Sequence, residues 1–216
     1  MRTRQEIKGR ARQAIKEQRA TAILIIVLVG VVGFVGGALG AIPMIGWIIS
    51  IAVSLSVLVL SVNVVGAFVK IYRGDKVELS EPFAQLQINF VRKLGGMCWM
   101  ALFTCLWSML FAVPGVIKGI SYSMTPFILA ECPNVNAKEA LKISMRMTNG
   151  YKMELFVMYL SFIGWMMLSV LTLHILLIVF VGPYMETTMA GYYIELRDKA
   201  LADGIIQAEE LQVSLQ

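Results

Sequence analysis

Long apolar stretches and short charged ones alternate along this chain. Residues 21–69, 94–117 and 155–185 carry almost no charge and separate four charged segments. A helix needs about 20 apolar residues, at roughly 1.5 Å rise each, to cross a bilayer, so the first stretch can cross twice but not three times. Glycine and proline in Gly36-Gly37-Ala38-Leu39-Gly40-Ala41-Ile42-Pro43 supply a turn, which predicts helices over residues 22–35 and 45–69. The second stretch meets Pro114-Gly115 and continues through Lys118 to Ala130. It reads as one helix of ordinary length and a shorter partner interrupted by Pro126. The third, residues 155–196, holds two spans if a tight turn lies near Leu173-His174. A single long helix ending at Gly182-Pro183 is the competing reading.

The charged segments have helical periodicity of their own. Ile7, Ala11, Ala14 and Ile15 share one face, with Arg4, Lys8, Arg12, Lys16 and Arg19 around the rest. Phe83, Leu86, Phe90 and Val91 keep helical spacing after Ser80, with Pro82 in the first turn. Asn136 can cap a helix lined by Ala137, Ala140, Leu141, Ser144, Met145 and Thr148, ending at Asn149-Gly150. Such helices suit the headgroup region, apolar side toward the acyl chains and Lys or Arg toward anionic lipid. Amphipathic helix followed by hairpin occurs three times, a weak internal repeat in hydropathy.

Charge counting orients the chain. The segments 1–20, 70–93, 131–154 and 195–216 contain 7, 5, 4 and 2 Lys or Arg, which is 18 of the 19 present. Six spans put them all on one side, cytoplasmic by the positive-inside rule, with Lys118 outside; five would export Arg197 and Lys199. Six spans with both termini inside is the preferred arrangement. The expected fold is therefore all-α: a polytopic membrane bundle of about six transmembrane helices in three hairpins, each preceded by a cytoplasmic amphipathic helix. It is one membrane domain over 1–216: basic helix 1–20, hairpin 21–69, linker 70–93, hairpin 94–130, helix 131–154, hairpin 155–196 and tail 197–216. A cleaved signal peptide is disfavoured by the long charged stretch before the first apolar run; a retained anchor is expected.

Composition agrees: 58% of residues are hydrophobic, well above the roughly 45–50% of a soluble domain. The net charge of +5 would suit nucleic acid, but the basic segments are thin, hug the apolar runs and carry no interleaved aromatics, so none is expected as a partner. Anionic lipid at the cytoplasmic face, a membrane-protein partner and a homo-oligomer are the candidate associations.

Candidate chemistry is sparse. His174 is the one histidine, too few for an ordinary zinc site or a convincing catalytic triad. Cys98, Cys105 and Cys132 fit a reduced protein. No phosphate-binding glycine loop, dinucleotide fingerprint or zinc-protease helix occurs, so no catalytic residue, metal or cofactor is expected. Gly33 with Gly37, Gly36 with Gly40, and Gly46, Ser50 and Ser54 have the small-residue spacing that lets helices approach closely. Glu186 and Lys118 are the ionisable residues inside apolar runs, where burial is costly without a partner or water. Glu186 could accept from Thr or Tyr hydroxyls, pair with Lys118 or carry a proton. Asn63, Thr104, Ser108 and Ser121 could line a polar path with it. Glu131, at the inner end of the fourth span, is expected to face water.

Residues 106–111, Val113-Pro114-Gly115-Val116-Ile117-Lys118 and residues 121–130 resemble the bacterial integral-membrane family catalogued as domain of unknown function 975. Residues 137–144, Met147, Gly150, residues 160–165, Pro183-Tyr184, Glu186, residues 188–190 and 193–197 continue the likeness over nearly the whole chain. A looser likeness, residues 126–131 with Ala140-Leu141, Ser144 and Gly150, is to membrane domains found beside glycerophosphodiester phosphodiesterases. The resemblance implies a plasma-membrane protein of chiefly Gram-positive bacteria with about six helices, and brings no activity; His174 stands where that family's turn would have glycine. The expected function is a non-enzymatic membrane scaffold or accessory protein acting on lipids or a partner complex. A small transporter or channel using Glu186 is the alternative, and an intramembrane enzyme comes third.

Overall fold

The computed structural model describes residues 2–42, 45–172 and 175–211, most of them helical and none in a strand. Eleven α-helices are α1 Arg4–Glu17, α2 Arg19–Leu39, α3 Gly46–Arg73, α4 Glu81–Ala84, α5 Phe90–Leu110, α6 Ala112–Tyr122, α7 Thr125–Glu131, α8 Ala137–Met147, α9 Lys152–Leu171, α10 Gly182–Ala202 and α11 Ala208–Leu211. Pro43 and the turn expected at Leu173-His174, with His174 itself, lie outside the described residues.

Four helices, α2, α3, α5 and α9, are long and apolar enough to cross a membrane, and only 17% to 28% of their most apolar stretches is buried in the protein. Apolar surface left open on that scale is a membrane surface. Phe34 is 78% exposed and Met109 81%, and Ile45, Leu110, Phe111, Met167 and Val170 also face outward.

The two further spans expected from the sequence do not form as long apolar helices. Residues 112–131 break at Ser123-Met124 into α6 and α7, because Pro126 lacks an N–H and its ring crowds the carbonyl four residues back. Ahead of α10 a π-helical turn, Leu177–Val181, ends where the Gly182 N–H bonds the Leu177 carbonyl. The wider turn makes room for Pro183 and for Gly182, whose added Cβ would sit 2.9 Å from that carbonyl. Beyond it α10 mixes Glu186, two threonines and three tyrosines into a largely buried face.

The first turn also differs. α2 continues through Gly36-Gly37 to Leu39, since these glycines serve packing. Gly36 meets Val53 of α3, Gly40 meets Ser50, and Gly46 lies against the carbonyls of Leu39 and Gly40. Gly33 and Gly37, expected at a helix seam, have nothing within 4 Å of an added Cβ and face outward. The second amphipathic helix shrinks to α4, because the chain turns at Gln85–Asn89 and Asn89 adopts φ 55, which ends any continuous helix.

The core is off-centre. It gathers the second half of α3, from Val59 to Tyr72, with α1, α7, α8 and α10. Ile7 and Ala11 of α1, and Ala140, Leu141, Ile143 and Met147 of α8, are buried in it. The apolar faces expected to dip into lipid are thus packed against protein. α8 is capped where the sequence suggests, the Asn136 N–H donating to Glu139, and at α1 Thr3 and Glu6 exchange side-chain and backbone bonds.

Candidate functional site

All four charged segments meet in one polar layer. Arg2 pairs with Glu195, and Gln18 bonds the Asp75 carbonyl and the Val77 N–H. Arg73 and Arg197 both pair with Glu131, and Arg146 pairs with Glu210. The cations of α1 also lie over rings: Lys8 over Phe162, Arg10 over Tyr72 and Arg12 over Tyr184. Layer and core share the same end of the long helices, where α2 starts and α3 finishes.

Glu131 joins three elements. Its side chain is 12% exposed and takes both guanidinium groups, Arg197 at 2.8 Å. The Arg197 guanidinium lies over the Tyr193 ring, which stacks on Phe127. Burial works against the Arg197 charge, but the hydrogen bond to Asp198 and the Glu131 carboxylate outweigh it and hold the group firmly protonated. Glu131 is a bridging residue, where the sequence suggested a group facing water. Beside it Cys132 is buried, which pushes its thiol up to about 11, so it is neutral and unreactive at pH 7. All three cysteines are free.

Next to this bridge lies a cavity of about 480 Å³ between α3, α5, the end of α7 and the α4 turn. From α3 come Asn63, Lys70 and Arg73; from α5, Arg92 and Lys93; from α10, Arg197. Five cations therefore line it against two carboxylates, Glu81 and Glu131. Lys70 is tied to Glu81. The Arg92 fork donates to the carbonyls of Leu129 (2.7 Å), Cys132 (3.0 Å) and Val135 (2.8 Å), closing the end of α7. Its Nε–H is buried without a partner. Lys93 is 5% exposed and donates to Asn63 Oδ1 at 2.5 Å, while Asn63 Nδ2 donates to the Pro82 carbonyl.

The residues singled out from sequence are scattered. Asn63 belongs to this cavity. Thr104 and Ser108 sit where α5 meets Gly119 and Gly115 of α6, and Ser108 donates to the Thr104 carbonyl. Ser121 is buried, with its carbonyl accepting from Ser144 and Thr148 of α8. Of these four, Asn63 alone lines the cavity beside Glu131. Lys118 lies over Trp107 and 4.0 Å from the Met145 sulfur, and forms no ion pair with Glu186. Glu186 stands in the first turns of α10, electrostatically coupled to Tyr159, with no hydrogen bond or ion pair to another described residue. Thr187 and Thr188 donate instead to the carbonyls of Pro183 and Tyr184. Sequence reading missed Arg92, Lys93 and Arg197 as a group. The one signal available was Asn63, an amide in the middle of an apolar helix.

An all-helical fold with four apolar, outward-facing helices and a polar layer at one end defines an integral-membrane type of protein. The chain belongs to the family described as "Protein of unknown function (DUF975)", whose sequence profile matches residues 1–121 and 112–200. No curated protein and no solved structure matches it.

Proposed function

We propose that this chain is a non-enzymatic, multi-pass scaffold or accessory protein of the bacterial plasma membrane, with its polar layer and both termini in the cytoplasm. It acts there on anionic lipid or on a partner membrane protein. The observation that carries this reading is the cross-linking of all four charged segments at one end. Those segments hold 18 of the 19 Lys and Arg, the bias that cytoplasmic loops have. Returning each time to that layer calls for paired crossings, with α6–α7 and the segment leading into α10 as short, protein-packed partners of the long helices.

The test uses full-length protein in which the three native cysteines are serine. A cysteine placed by Lys16→Cys or Lys142→Cys should resist a membrane-impermeant maleimide on intact cells and react after permeabilisation. Labelling of intact cells would reverse the orientation.

Transport is the second reading, supported by Glu186, a carboxyl group inside the helical assembly with no bonded partner among the described residues. Glu186→Gln should then abolish substrate or proton flux in vesicles at unchanged yield of folded protein. Flux equal to that of the wild type removes this reading.

A further inference from the structure

We propose that the cavity at Lys93 binds a phosphate-bearing anion, either the headgroup of an anionic lipid or a soluble phosphate ester. The proposal deepens the scaffold reading by naming what its polar layer holds.

Lys93 is the starting point. An ammonium group has three N–H donors. One reaches Asn63 Oδ1, and a second points at the Gln85 carbonyl from 3.5 Å, the edge of bonding distance. No described carboxylate lies within ion-pair reach of it, so the buried ammonium has polar acceptors but no counter-charge, which is costly unless something supplies a negative group. The cavity's own acids are engaged elsewhere. Glu81 takes Lys70 and the Gln85 amide, and Glu131 takes two arginines. The surplus of positive charge therefore falls at Arg92 and Lys93.

The third Lys93 N–H and the other cationic side chains share one chamber. Lys93 and Arg92, neighbours on α5, line it together with Lys70, Arg73 and Arg197. Charge-assisted donors of this kind are what a phosphate oxyanion requires. The chamber, about 480 Å³, is far larger than a bare ion needs and leaves room for a glycerol-sized alcohol. Ile88 lines it and is 57% exposed, an apolar edge for the start of an acyl chain.

Full-length protein in a non-ionic detergent provides the test, read as the midpoint of thermal unfolding. The probes are phosphatidylglycerol, phosphatidylcholine, and sodium phosphate against sodium chloride at equal ionic strength. Phosphatidylglycerol should raise the midpoint and phosphatidylcholine should not, because the cationic surplus rejects the choline ammonium. Lys93→Met should weaken the response about tenfold, as expected for loss of one charge-assisted hydrogen bond. A response to phosphate as well identifies soluble phosphate esters as ligands, and a response to phosphatidylglycerol alone identifies the lipid. No response of the wild type to either anion overturns the proposal, and so does an equal response in Lys93→Met. Should that variant not fold, Lys70→Gln at the exposed rim must still weaken binding; unchanged affinity there also overturns it. The detergent measurement does not depend on orientation in the membrane, so it can fail while the labelling result stands, and the reverse.

Discussion

Replacing Glu131 by alanine will lower the stability of the folded protein by about 2–3 kcal/mol, a discounted share of the 3–5 kcal/mol lost when a fully buried ion pair is broken. The loss comes less from the missing attraction than from what remains. Arg73 at the end of α3 and Arg197 on α10 would face each other across a site that is only partly open to water. Removing one of the repelling charges should recover part of the loss, so Glu131→Ala with Arg73→Ala will be more stable than the sum of the two single variants. Thermal unfolding in detergent measures all three. Additive losses would mean that the bridge contributes nothing of its own.

Gly191→Leu will prevent α10 from docking on α3, and Gly191→Ala will cost about 1–3 kcal/mol, the usual penalty of an overpacked core. An added Cβ falls 2.5 Å from Tyr72 Cζ, and that ring cannot retreat, being 3% exposed with the Arg10 guanidinium over it. Removing the obstruction with Tyr72→Leu should restore much of the stability of Gly191→Ala. Gly164→Ala is the control, since nothing lies within 4 Å of its added Cβ and alanine is the better helix former. If both glycine variants melt together, Gly191 is not a point of close approach.

Much of the architecture was legible in the chain because it follows from local chemistry. Charge spacing predicted the polar layer, and Asn136 predicted the start of α8. Where several elements had to converge, periodicity carried no information. Arg92, Lys93 and Arg197 come from two helices more than 100 positions apart, and none is unusual in its own segment. The glycines show the same limit. Gly33 with Gly37 and Gly36 with Gly40 have identical spacing, and only the roll of α2 on α3 decides that the second pair is used. Pro126 and Pro183 were visible, but hydropathy could not show that the first would open the short α7 and the second the largely buried α10, both packed against protein.

The off-centre core has a mechanical consequence. Where the long helices run away from the polar layer, Phe34, Met109 and Val170 face outward with little protein around them. Where α3 nears the layer, it is enclosed by α1, α7 and α10. A bilayer thinner or thicker than the apolar helices imposes a mismatch that tilting relieves at modest cost. Here that tilt can be taken up by the sparsely packed far ends. The Glu131 bridge and the cavity at Lys93 then keep their geometry in membranes of different thickness.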